Sequence, residues 1–227
     1  MIEGWSSPAK KNENMTDFHH SPVIECHVAR YTFEGEEESG DGNIVTETRD
    51  GVLVAVIDAL GHGPEAASAR KVVISTIRKQ AFTDLSKIIE QCGKSVLHNR
   101  GVVMSLMAIN TTNGELLCAS VGNITTIIIH QTGNTGSLSD GIVYIPPMAG
   151  IVGYLSREPN IFSAKLTADD LILFYTDGVR DDIREKIVIN TKRLFEVPLS
   201  SVVEELFNSY CKRTDDALLM VLRYIGN

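Results

Sequence analysis

Residues 52–63 read V-L-V-A-V-I-D-A-L-G-H-G, and no other stretch narrows the possible folds as much. The apolar run 52–57 is too short for a free-standing helix and rich in Val, which marks a strand buried inside the core. Asp58 ends the run at the rim of that core, where an uncompensated carboxylate calls for a partner and where ions and phosphates are commonly held. A glycine-rich turn follows. Beyond Gly63 the period changes, with Ala66, Ala69, Val73 and Ile77 at helical spacing on one face and small residues early enough for close packing on a sheet.

The rest of the chain supplies the partners of this strand–turn–helix unit. Strands are expected over 23–33, 44–49, 102–110, 115–121, 124–131, 141–145, 160–166, 171–176 and 217–225. Asp50-Gly51, Asn113-Gly114 and Gly122-Asn123 read as tight hairpin turns between them. The acidic run 34–38 reads as a solvated loop, 133–141 as a loop and 146–153 as a Pro/Gly-rich connection. Leu85, Ile88, Ile89, Cys92 and Val96 mark a second helix capped by Thr83 or Asp84, and Leu199, Val202, Val203, Leu206, Phe207 and Tyr210 a late one. Hairpins without alternating helices exclude a doubly wound parallel sheet. The architecture that fits is α+β, a four-layer αββα sandwich of two antiparallel sheets flanked by helices.

Residues 1–21 lack periodicity and are expected to be a flexible N-terminal tail, His19-His20 included, ahead of a single domain over 22–227. With 227 residues, 43% of them hydrophobic, one substantial core is expected. A net charge of -8 and a pI near 5.3 argue against nucleic acid and anionic membrane as partners. Cys26, Cys92, Cys118 and Cys211 form no C-x-x-C pair, which suits thiols of a reducing cytoplasm. No apolar run approaches the roughly 20 residues of a membrane span, so a soluble, cytoplasmic protein is expected.

The chemistry rests on carboxylates in one kind of place. Asp41 lies in a glycine-rich loop before a strand, Asp58 and Asp177 follow apolar strands, and Asp215-Asp216 precede one. Strand tips on one edge of a sandwich can meet although far apart in sequence. Asp50-Gly51 and Asp140-Gly141 are ordinary turn dipeptides in the same chain, so an Asp-Gly pair alone means little. Carboxylates without Cys or His partners select a hard, oxygen-preferring cation such as Mg²⁺ or Mn²⁺, and several around one cleft suggest two ions clamping a water. His62 reads either as a surface residue at a helix start or as a proton donor.

Gly40-Asp41, the run Asp58 to Gly63 with Ala66-Ala67 beyond it, Thr176-Asp177-Gly178 and Thr214-Asp215-Asp216-Ala217 occur in an order that resembles the motifs of the metal-dependent protein phosphatases (PPM, type 2C), in their bacterial SpoIIE/RsbU-like branch. The resemblance spans about residues 23–225, and the absence of an attached sensor is most like the branch's small stressosome feedback phosphatases. It implies that Asp58 bridges two Mn²⁺ or Mg²⁺ ions, that the Ala59 carbonyl, Asp41 and Asp177 complete the pair, and that Asp215 rather than Asp216 binds from the last motif. The family often has Gly where Ala59 stands. It implies His62 as general acid, although the eukaryotic branch places its His nearer the bridging Asp, and it assigns no phosphate-binding Arg.

The activity so implied is hydrolysis of phosphoserine or phosphothreonine by direct attack of a metal-bridging hydroxide, without a phosphoenzyme. Phosphorylated STAS-domain proteins of a stressosome or partner-switching pathway would be the substrates, with the chain, a monomer, as negative feedback regulator of a bacterial stress response. The alternative is a non-catalytic phosphatase-fold module that regulates a STAS-domain partner by occupancy. A haloacid-dehalogenase-like phosphatase would need an early D-x-D at a strand end, and the chain has none.

Overall fold

The computed structural model describes residues 15–20, 23–79, 84–131, 141–155 and 157–226. In chain order the elements are β1 (Met15–His20), β2 (Ile24–Tyr31), β3 (Asp41–Thr48), β4 (Gly51–Ala59), α1 (Gly63–Arg78), α2 (Leu85–Ser95), β5 (Val102–Asn110), β6 (Glu115–Val121), β7 (Thr125–Ile129), β8 (Ile142–Ile145), β9 (Phe162–Lys165), β10 (Leu171–Tyr175), α3 (Ile183–Ile189), α4 (Thr191–Glu196), α5 (Leu199–Tyr210) and β11 (Ala217–Tyr224). One sheet runs β1-β2-β11-β10-β7-β8 and the other β3-β4-β5-β6-β9, with every neighbouring pair antiparallel.

Strand β4 explains why two sheets and two helical layers are needed. Successive strand side chains point to opposite faces, so an all-apolar strand must be covered on both. Leu53, Ala55, Ile57 and Ala59 pack under α1 and α2 with Val73, Ile77, Ile88, Ile89 and Cys92. Val52, Val54 and Val56 face the opposite sheet, where they meet Ile128, Ile172, Phe174, Leu218 and Met220. The outer face of that second sheet is covered in turn by Val202, Val203, Leu206 and Phe207 of α5, with Ile183 and Ile187 of α3 and Leu194 of α4. These three cores give the expected αββα sandwich.

Local chemistry sets the helix starts. Pro64 opens α1, where its missing N–H costs nothing, and His62 at the cap position is extended, with φ -128° and ψ 177°. Asp84 caps α2 by accepting a bond from the Lys87 amide at 3.2 Å. Thr83, the other expected cap, lies outside the described residues, as do Asp140 and most of the loop expected over 133–141.

Five details differ from the sequence expectation, the first being that Gly122-Asn123 forms no hairpin but carries the chain from β6 in one sheet to β7 in the other. Residues 15–20, expected within the flexible tail, form β1 and pair with β2, which gives their backbone donors and acceptors a ladder. The first hairpin turns at Arg49-Asp50, since Thr48 faces Gly51 across the ladder, and Gly51 is instead a strand residue whose Cβ would fall 1.9 Å from the Ile109 carbonyl oxygen. Strand β3 begins at Asp41 rather than residue 44. Helices α3 and α4, of 7 and 6 residues, are too short for a periodic signal.

The cysteines are free thiols, and burial pushes Cys92 and Cys118 up to about 12. Among the described residues no helix is long and apolar enough to cross a membrane.

Gly178, at the tip of β10, is a size requirement. A Cβ there would stand 2.0 Å from the Asp216 carbonyl oxygen and 2.7 Å from the Ala217 Cβ. Gly178→Ala is therefore expected to destabilise the protein by about 1–3 kcal/mol, read from the urea midpoint, because the β10 and β11 tips must part. An unchanged midpoint would show that the close approach is not needed.

Candidate metal centre

The alternation that builds the cores also aims the acidic residues. Asp58 continues the series Val52, Val54, Val56 and so faces the space between the sheets. Asp41 stands directly opposite it in the β3–β4 ladder, and cross-strand partners share a face. On the other sheet, Thr176 continues the inward series Ile172, Phe174, and Asp216 the inward series Met220, Leu218. Asp41, Thr176 and Asp216 are buried, Asp58 is mostly so, and Asp177 and Asp215 lie exposed on the shoulders.

Hydrogen bonds tie the two sheets at this edge. The Thr176 hydroxyl donates to Asp41 Oδ2 at 2.6 Å and its oxygen accepts the Leu218 amide at 2.9 Å. Asp216 receives the Phe33 amide on Oδ1 at 2.8 Å and the Gly40 amide on Oδ2 at 2.7 Å, so both its oxygens are engaged by backbone. Asp215 accepts the Asp216 amide on Oδ1 at 2.8 Å. Its exposure leaves Oδ2 accessible. Asn123, in the Gly122-Asn123 turn, donates to Asp177 Oδ2 at 2.9 Å, while Lys212 donates to the Asp177 carbonyl.

The carboxylates act on one another. Burial first, then the charges of Asp177, Asp215 and Asp216, push Asp58 up to about 7. Burial and the neighbouring Asp58 also raise Asp41 well above the usual carboxylate range, against the lowering effect of the Thr176 bond. Among the described residues no three His, Cys, Asp or Glu side chains stand together as a ready ion cage. The donor chemistry nevertheless fits a divalent cation, because an all-oxygen set that repels itself is what a hard cation neutralises. Asp41, Asp58, Asp177 and Asp215 are the side chains that would hold it.

Two other expected site residues sit differently. Ala59 is fully buried, and its carbonyl oxygen lies 3.1 Å from where a Cβ on Gly40 would be, with the Ala66 Cβ at 3.0 Å. A side chain at Gly40 would press tightly on the β4 tip and α1, which would have to give by a few tenths of an ångström. His62 is tied to the acidic loop: its Nδ1 is 2.8 Å from Glu36 Oε1, and its ring lies tilted against Phe33 with centroids 4.7 Å apart. The run 34–38 is thus docked on α1 rather than free in solvent, since Glu38 also pairs with Lys71.

With this geometry in place, the sequence profile described as Stage II sporulation protein E (SpoIIE) matches residues 48–225. The chain belongs to the SpoIIE family. It is 26% identical over 168 residues to the phosphoserine phosphatase RsbX of Bacillus subtilis (strain 168), covering 72% of this chain and 79% of that protein. A solved chain described with the bacterial stressosome, a modular system adapted to control secondary messenger signalling, is 26% identical with a TM-score of 0.77, covering 88% of this chain and 99% of that one. RsbX in complex with magnesium superposes with a TM-score of 0.76 at 22% identity, over 92% of this chain and 100% of that one. The catalytic domain of the serine/threonine phosphatase PstP with two manganese ions gives 0.64 at 14%, over 90% and 99%. At such identities the last two speak to fold. Family and fold make the chain a protein phosphatase of the PPM class, and the non-catalytic alternative is not favoured.

Sequence reasoning missed Thr176 as a link, Asn123 and Glu36 in this SpoIIE-family site. Thr176 had a signal, the strand parity that places it inward. Asn123 and Glu36 had none beyond turn and loop chemistry.

The self-repulsion makes a prediction without any assay of activity. With ions removed by chelator, folded Asp58 keeps its proton up to about pH 7, whereas an ordinary Asp loses it near 3.8. The folded state binds the extra proton between these values, so stability falls as pH rises from about 4 to about 7. Asp58→Asn should raise the melting temperature of the chelated protein at pH 8 by about 5 °C and barely change it at pH 4. A lowered melting temperature at pH 8 would contradict the proposed repulsion.

Proposed function

We propose that this chain removes phosphate from phosphoserine or phosphothreonine on STAS-domain proteins of a stressosome or partner-switching pathway, using two Mn²⁺ or Mg²⁺ ions, as a cytoplasmic feedback regulator of a bacterial stress response. The observation that carries this reading is the direct opposition of Asp41 and Asp58 across a ladder, under the electrostatic influence of Asp177 and Asp215 from the other sheet. Likeness to a phosphoserine phosphatase and to a chain described with the stressosome supports the substrate class. Relatives solved with magnesium or two manganese ions support a divalent cofactor.

Each residue has a task in that scheme. Asp58, opposite Asp41 in the ladder and under the influence of Asp177 and Asp215, would be shared by both ions, with the Ala59 carbonyl, Asp41, Asp177 and Asp215 as the other ligands. Thr176 would orient Asp41, and Asn123 would orient Asp177, as hydrogen-bonded neighbours commonly fix ligating carboxylates. When bound, the ions would neutralise the carboxylates, lower the pKa of a water and polarise the phosphoryl group. His62 would protonate the departing seryl or threonyl oxygen through Nε2, with Glu36 on Nδ1 holding the ring. Asp216, already holding two amides, would keep the floor of the site in shape.

Asp58→Ala and Asp177→Ala should each abolish Mn²⁺-dependent release of phosphate from a phosphorylated STAS protein, and full activity in either would refute the assignment. Asp215→Asn and Asp216→Asn separate ligand from scaffold. The first is expected to weaken Mn²⁺ binding by about tenfold or more with little loss of stability, and the second to lower the melting temperature, since it removes charge from two amide bonds. Calorimetric Mn²⁺ titration and thermal denaturation of both variants read the difference.

A further inference from the structure

The tip of β4 has unlike ground on its two sides. Strand β3 and the acidic loop leading into it lie on one side, and β5 lies on the other. Residues 34–38 bring four glutamates to the first side, of which Glu36 is matched by His62 and Glu38 by Lys71. On the second side Leu60 donates its amide to the Gly101 carbonyl at 3.0 Å. Residues 146–154, Pro-Pro-Met-Ala-Gly-Ile-Val-Gly-Tyr without a charge among them, run as a strap past the same strand end, the Val152 amide donating to the Val102 carbonyl at 2.8 Å.

Three apolar side chains meet there. Gly101 is buried, and a Cβ on it would stand 2.4 Å from Ile151 Cγ2, 3.3 Å from Leu60 Cδ1 and 3.6 Å from Tyr154 Cε2, so the missing side chain lets the three close over it. The cluster is nevertheless open to water, with Leu60 40% exposed, Tyr154 63% and Ile151 in part. Its support is firm. Met148 fastens the strap, its amide to the Ser120 carbonyl and its carbonyl to the Gly122 amide. Arg100 donates to the Leu60 carbonyl and holds Glu65, a pair that adds no net charge beside the cluster. The shelf also borders the carboxylates. Leu60 follows Asp58 by two residues, about 6–7 Å along an extended chain, and the strap passes the Gly122-Asn123 turn whose Asn123 holds Asp177.

We propose that Leu60, Ile151 and Tyr154 form the docking shelf for the substrate polypeptide, and that they receive an apolar side chain next to its phosphorylated residue. This rests on the phosphatase reading above. The charges choose the occupant and the side it comes from. A phosphoseryl group carries close to two negative charges, so the peptide bearing it is repelled on the glutamate side of β4 and meets no net charge on the shelf side. One or two residues of extended peptide cover the distance from Asp58 to Leu60, which puts a residue flanking the phosphoserine over the shelf. Burial of that residue against Leu60 and Tyr154 would add affinity without touching the ions.

The test compares three substrates in Mn²⁺: a phosphoseryl peptide with leucine on both sides of the phosphoserine, the same peptide with serine in those places, and p-nitrophenyl phosphate, which has no flanking residue. Wild type should turn over the leucine peptide with kcat/KM about tenfold above the serine peptide, mostly through KM. In Leu60→Ser and Tyr154→Ser that preference should shrink to about twofold, while p-nitrophenyl phosphate turnover and the melting temperature stay near wild type, since both side chains are well exposed. Equal use of the two peptides by wild type, a preference kept in both variants, or an equal loss on p-nitrophenyl phosphate would overturn the proposal. So would a wild-type dimer that Tyr154→Ser makes monomeric with the preference intact, because a second copy of the chain would then be the occupant. Wild type that hydrolyses none of the three substrates in Mn²⁺ would instead defeat the phosphatase reading, whereas active wild type indifferent to the flanking residue defeats this proposal alone.

Discussion

One buried hydroxyl holds the two halves of the site together. Thr176 belongs to the six-stranded sheet's edge of the site, yet its proton goes to Asp41 of the five-stranded sheet and its oxygen takes an amide from β11. Without it, the raised, buried Asp41 would lack its one lowering partner. Asp216 makes the complementary tie, fixing the backbone at Phe33 and Gly40 from β11's lead-in. Apolar packing brings the sheets together over their whole area, but it is non-directional. These few directional bonds decide how the tips line up, and with them the spacing of the carboxylates.

The same alignment accounts for the glycines at the edge. Gly40 lets the β4 tip and α1 come within contact of the loop that carries Asp41, and Gly178 lets β10 pass against Asp216 and Ala217. Both positions serve close approach rather than turn freedom. Gly51, which follows Asp50, is also a strand residue held close to a neighbouring carbonyl, so Asp50-Gly51 and Asp177-Gly178 both serve close approach although the first reads in sequence as a hairpin turn.

What the sequence made legible followed from periodicity. The apolar run before Asp58, the helical spacing after Gly63 and the meander of short strands were enough for an αββα sandwich, although of the three expected hairpin dipeptides only Asn113-Gly114 joins a pair of strands as read. Short elements were beyond that reach: α3 and α4 have too few residues for a period to register, and β1 carries no apolar signal that separates it from a tail. The polar partners were hidden for another reason. Asn123 reaches Asp177 across 54 residues and Glu36 reaches His62 across 26, and contacts between loops leave no local pattern in a chain. The likeness of fold and family closes the gap on class, while residue roles rest on the geometry.

The docked acidic loop gives the site two kinds of boundary. Its floor is made of buried bonds from backbone amides and a hydroxyl, which dissolved ions barely reach. The loop itself is held to α1 by pairs on the surface, Glu36 with His62 and Glu38 with Lys71. Attraction of that kind fades over roughly 8–10 Å at moderate ionic strength and weakens further as salt is added. Salt is therefore a dial on the loop alone: it loosens the loop against α1 while the buried bonds at the sheet tips stay as they were.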